Sequence, residues 1–119
     1  MKKLFFNLLM LASFSSFAGT VDYTCGFRQY QINITFDEMS TNMFLIDRLS
    51  HETIYVGYVG WIETQGNFQK YHFYPSNGRD SILTLNKEDI ANQVTRTSGW
   101  IDGQFNGWLM YDSIICLKR

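Results

Sequence analysis

The chain has 119 residues, ten basic and eleven acidic side chains, a formal net charge of −1 and 45% hydrophobic content. That length suits a single domain with one core. The near-neutral balance, with no grouping of Lys and Arg, excludes nucleic acid as a partner, because phosphate neutralisation needs clustered cations.

The chain opens with a basic Met1-Lys2-Lys3, an apolar run from Leu4 to Phe14 broken only by Asn7 and Ser13, and small residues at Ser16 and Ala18. This order predicts a secretory signal over 1–18, cut after Ala18. The run is shorter than the roughly 20 apolar residues that a span requires, so no membrane-spanning segment is expected after cleavage. So compact a signal looks bacterial, and Cys25 stands too far beyond the cut for a lipid-anchored cysteine. A periplasmic or secreted domain over 19–119 is therefore expected. Losing Lys2 and Lys3 takes its net charge from −1 to −3.

The mature segment has a period of two. Residues 30–36, YQINITF, alternate Tyr30, Ile32, Ile34 and Phe36 with polar partners, as a half-buried strand does. An apolar run follows at 41–48, then a polar link at 49–52. Residues 53–63, TIYVGYVGWIE, are β-branched and aromatic, and Gly57 and Gly60 suit a bend or a bulge there. Tyr55, Val59 and Trp61 share one parity of this strand, and Ile54, Val56 and Tyr58 the other. Both faces are apolar, so one is expected in the core and the other under a second layer or free to bind.

A turn is expected at 64–67, a returning strand at 68–74, and the strongest turn signal at Pro75-Ser76-Asn77-Gly78. A strand at 81–85 leads into NKEDIANQ, 86–93, which fits either a helical turn capped by Asn86 or a polar hairpin loop. In 94–108 we expect a strand interrupted at Gly99, a hairpin turn at Asp102-Gly103 with a glycine at positive φ, and Trp100 in the core. A last strand runs over 108–118.

Seven or eight short strands with turns between them define an all-β domain. Cys25 and Cys116 stand near its two ends. In an exported chain two such cysteines predict a disulfide, which would make the first and last strands neighbours. A small antiparallel barrel of about 7–8 strands, closed by that bond, is favoured over a β-sandwich.

Little in the sequence points to catalysis. There are two histidines, His51 in a loop and His72 in a strand. No nucleophile motif, phosphate-cradling glycine pattern or calcium-loop spacing occurs. With both cysteines paired, the donors for a metal are few. No catalytic residue, metal or cofactor is expected. The aromatic content is high instead: without the signal, six phenylalanines, seven tyrosines and three tryptophans remain. Tyr55 and Trp61 are accordingly candidate binding residues, since Tyr and Trp dominate contact hot spots.

Two local motifs carry a resemblance. Arg96-Thr97-Ser98-Gly99 ahead of a final strand with Cys116 is similar to the Arg-x-Ser/Thr-Gly turn of many small exported bacterial proteins. VDYTC, 21–25, resembles the opening strand of the periplasmic and membrane-bound inhibitors of c-type lysozyme, which are small eight-stranded barrels. The likeness covers the two ends, about a quarter of the domain. It implies a barrel, an envelope location and binding to a cell-wall hydrolase. The family's Thr-Lys-Gly turn is missing here, and SNGRDS, 76–81, is a distant counterpart of its Ser-Gly-rich loop. Asn77, Arg79 and Asp80 are the polar contacts that this loop would offer. The alternatives are a carrier of a small apolar ligand in the barrel mouth and an envelope or adhesion component.

Overall fold

A computed structural model describes residues 20–37, 39–76 and 80–119. Eight strands follow one another around a closed antiparallel barrel: β1 (Val21–Phe27), β2 (Tyr30–Phe36), β3 (Thr41–Asp47), β4 (Glu52–Gln65), β5 (Phe68–Tyr74), β6 (Ser81–Asn86), β7 (Arg96–Phe105) and β8 (Trp108–Lys118). One short helix, α1 (Lys87–Ala91), links β6 to β7. Every strand pairs with its sequence neighbour, and β1 closes the ring on β8 from Tyr23↔Lys118 to Gly26↔Ile115. The barrel is thus the arrangement adopted, and the sandwich is set aside.

Cys25 and Cys116 face each other in that closing register and form the disulfide, 91 residues apart in sequence with Cα atoms 3.9 Å apart. Both are fully buried. The bond staples the one strand pair whose partners lie far apart along the chain.

Alternation places one residue in two inside. Ile32 and Ile34 of β2, Met43 and Leu45 of β3, Phe73 of β5, Leu83 and Leu85 of β6 and Ile101 of β7 fill the interior. Burying each such side chain contributes about 1.5–3 kcal/mol. The interior is a packed core, as expected of a barrel of this strand number. Tyr55 and Phe105 meet edge to face at 5.1 Å near one end. At the other, Phe36 and Tyr71 meet at 5.4 Å, and α1 adds its buried Ile90. Asn86 caps the helix by accepting the Asp89 amide at 2.9 Å, which decides 86–93 in favour of the helical turn. The Asp89 carboxylate then takes the Thr97 hydroxyl at 2.8 Å, tying α1 to β7.

The 94–108 stretch departs from expectation. Gly99 does not interrupt β7, and Asp102-Gly103 is not a turn: both lie inside a ten-residue strand. The hairpin turns at Asn106-Gly107, where both residues have positive φ, 54° and 89°. Asn-Gly is the stronger two-residue hairpin signal, and it lay four residues further along. Gly103 does take a positive φ of 120°, but within the strand, where a Cβ would collide with the Asp80 carbonyl. Trp100 is not a core residue. It pairs across from Thr84 on the outer face, 37% exposed, and leans on Phe68 with ring centroids 5.2 Å apart.

Candidate functional site

The sequence assigned Tyr55 and Trp61 to one face, and a bulge separates them. The β4–β5 register shifts between Val59 and Trp61, so Gly60 is an extra residue that reverses the parity of the strand beyond it. Tyr55 therefore points inward. It is 3% exposed, and its hydroxyl donates to the Pro75 carbonyl at 3.0 Å. Burial, the main cause, pushes its phenol up to about 12. Tyr55 is a core residue and not a contact residue. Trp61 points outward and is half exposed.

Trp61 lies flat on the His72 imidazole, with centroids 3.6 Å apart and planes 10° apart. That stack keeps His72 buried although it stands on the outer face of β5. Its Nε2 is 3.2 Å from Glu63 Oε1. Its Nδ1 has no hydrogen-bond partner and lies 3.9 Å from Asp80 Oδ2. Asp80, a candidate from a separate part of the sequence, thus converges with Trp61 on one histidine. Asn77 and Arg79 lie outside the described residues.

Beyond Gly60 the outer face stays aromatic. Tyr58 pairs with Tyr74, their rings 6.2 Å apart. The Tyr74 ring occupies the space over Gly60, where any Cβ would strike it. Tyr58, Tyr74 and Trp61 thereby form one stripe across β4 and β5, each with two-fifths or more of its surface exposed. All three tryptophans are on the outside, as are five further aromatics among the described residues. Sequence reasoning missed Tyr58 and Tyr74 because parity was counted without a bulge. Gly60 beside Trp61 was the signal that could have found them.

An imidazole between two carboxylates is one element of acid–base chemistry, which also needs a reacting group within reach. Among the described residues, the only side-chain hydrogen bond of His72 is to Glu63. No group of three or more His, Cys, Asp and Glu side chains is arranged to hold a metal among those residues, and no helix among them is long and apolar enough to cross a membrane.

Two of the hollows among the described residues have mixed apolar and polar walls. One, of about 340 Å³, opens at the barrel end beneath α1, between Phe36, Ile62, Tyr71 and Ile90. The other, of about 510 Å³, lies on the outer face of β1 to β4. Compared with protein families, with curated proteins and with solved structures, the chain matches none. The site therefore defines a class by geometry alone: a closed, core-filled eight-stranded barrel with a further set of aromatic side chains displayed outside.

Proposed function

We propose that this is an exported, non-enzymatic binding protein that meets a protein partner through the Tyr58–Tyr74–Trp61 stripe. The observation that carries the reading is the placement of these rings on the solvent side of a barrel whose inside is already filled. Exposed contiguous aromatic surface is costly to leave in water and marks interaction sites. Tyr and Trp supply contact area with few rotatable bonds. The signal-like segment 1–18 and the buried disulfide both support export to an oxidising compartment.

The partner we favour is a periplasmic cell-wall hydrolase, the class that the terminal-strand resemblance implies. Asp80 next to the stripe supplies a polar contact at its rim. The test is a lysis assay on peptidoglycan with a panel of lysozymes, c-type among them. The wild-type protein is expected to slow one of them. The Tyr58→Ala/Tyr74→Ala double variant, altered only at exposed positions, is expected to melt normally and lose the effect. If no hydrolase is slowed, the hydrolase partner is wrong; if the double variant inhibits as well as the wild type, the stripe is wrong.

A small-ligand carrier is the second reading, and the hollow beneath α1 is what favours it. Its walls are largely apolar, with the Lys87 side chain at the edge. Native mass spectrometry of material purified without detergent would reveal a retained ligand, and Ile62→Trp, which fills that mouth, should abolish its retention.

A further inference from the structure

The outer face of β1 to β4 holds a second arrangement, independent of the partner proposed above. Antiparallel register aligns outward side chains into two cross-strand rows. One row runs Asp22, Thr35, Asn42 and on to Tyr58; the other runs Thr24, Asn33, Phe44 and Val56. Neighbours within such a row lie on strands about 4.7–4.9 Å apart. Between the rows lies the 510 Å³ groove, within the range of about 300–1,000 Å³ typical of small-ligand clefts. We propose that this groove is a binding site for an uncharged oligosaccharide.

A pyranose ring has an apolar C–H face and a rim of hydroxyls that both donate and accept. The groove offers a matching pair of walls. Phe44 and Val56, directly paired and about half exposed, form the apolar one. Asn33, Thr35 and Asn42 form the polar one. Part of that wall is pre-set. The Asn33 Oδ1 accepts from Gln31 Nε2 at 2.9 Å, leaving the two Nδ2 hydrogens for a ligand. The Thr35 hydroxyl donates to Asp22 Oδ1 at 2.7 Å, leaving its lone pairs as acceptors. The Arg119 amide is held by the Asp22 carbonyl at 2.9 Å, which places that residue at the rim as a further donor.

Other ligand classes fit less well. A phosphate-bearing ligand would meet one arginine and, in the same lining, the Asp22 carboxylate. A lipid tail would strip water from three amide and hydroxyl side chains without replacing their hydrogen bonds, at a cost per group that apolar contact with one phenylalanine does not offset. A peptide adding as a strand needs a sheet edge, and a closed barrel has none.

The test is amide chemical-shift titration of the intact protein with cellotriose, with tri-N-acetylchitotriose and, separately, with inorganic phosphate. Saturable shifts with at least one of the two sugars are expected at residues 33, 35, 42 and 44. Phe44→Ala and Thr35→Val should each weaken binding about tenfold, the equivalent of one well-placed contact of roughly 1.4 kcal/mol. Both sites are solvent-facing, and unchanged melting temperatures would show that the variants fold. Trp108→Ala, at a barrel end outside the groove, should bind normally. The proposal is overturned if neither sugar gives saturable shifts at millimolar concentration, if the shifts fall on Tyr58, Tyr74 and Trp61 instead, or if phosphate moves the groove amides more strongly than both sugars. The lysis assay reads the stripe, so failure of either proposal leaves the other standing.

Discussion

Truncating Tyr55 and Trp61 in parallel separates the inside of the barrel from the outside. Tyr55 is buried, contacts Phe105 edge to face and spends its hydroxyl on the Pro75 carbonyl. Tyr55→Ala should cost about 3–5 kcal/mol, the usual range for removing a large aromatic side chain from a core. Tyr55→Phe keeps the ring and removes only the hydrogen bond, so about 1 kcal/mol is expected. Trp61 loses one stacked face and exposes His72, and Trp61→Ala should cost about 1 kcal/mol. In a domain of this size each kcal/mol moves the melting temperature by about 4–8 °C, so Tyr55→Ala should melt at least about 12 °C lower and Trp61→Ala within about 8 °C of the wild type. Urea unfolding followed by circular dichroism gives the free energies, and an unchanged slope would confirm that the transition exposes the same surface. If Tyr55→Ala unfolds like the wild type while Trp61→Ala collapses, the bulge at Gly60 has been placed wrongly and the stripe reasoning falls with it.

Cys116→Ser, or full reduction, should lower stability by about 2–5 kcal/mol, since the bond closes a loop of 91 residues; denaturant curves with and without reductant check this. Gly99→Val should destabilise by about 3 kcal/mol, because its Cβ would collide with the Thr84 carbonyl oxygen, which is backbone and cannot swing away. Trp100→Ala, on the outer face of the same strand, should cost less than about 2 kcal/mol. Alkali should weaken the fold. Burial pushes both Tyr55 and Tyr71 up to about 12 from an ordinary value of 10.0. Their neutral forms therefore support the native state fully below pH 10, and that support is lost as pH rises from 10 through 12. Tyrosinate absorbance in native protein should accordingly lag behind that of the urea-unfolded chain, and coincident titrations would contradict the burial of both rings.

Strand positions and class were legible because they rest on period-two alternation and turn chemistry. Residues 30–36, 68–74 and 108–118 are strands to the residue. The two cysteines sufficed for closure, since an antiparallel ring has to bring the first and last strands together. Side-chain direction was less legible. One extra residue at Gly60 reverses every assignment after it; the glycines marked a bulge as possible there, but which of the two carries it depends on pairing with β5 and on the Tyr74 ring over Gly60, neither of which the local sequence contains. Asp102-Gly103 misled for a related reason: its glycine answers to the Asp80 carbonyl, a neighbour 23 positions earlier in the chain, and not to a local turn. His72 illustrates the same limit for the site. Glu63, Trp61 and Asp80 reach it only through pairing across strands and the loop between β5 and β6, so nothing in its immediate sequence marks it.

The in-register meeting of β1 and β8 also sets the order in which this molecule can be completed. In a chain that enters its folding compartment N-terminus first, β1 arrives first and β8 last, so the first strand keeps an unpaired edge until nearly the whole chain has arrived. Each intermediate hairpin can form as it emerges, since every other pairing is between consecutive strands. The ring cannot close until the last strand arrives, and Cys25 has no thiol within the chain to pair with before Cys116 appears. Until then an open sheet edge is exposed to other copies of the chain, the situation that favours aggregation over folding. Exchange of the Cys25 thiolate with an outside disulfide, which releases one thiol and leaves Cys25 capped as a mixed disulfide, would block the closing bond until that cap is displaced, so the yield of folded protein should depend on how late oxidising equivalents are supplied.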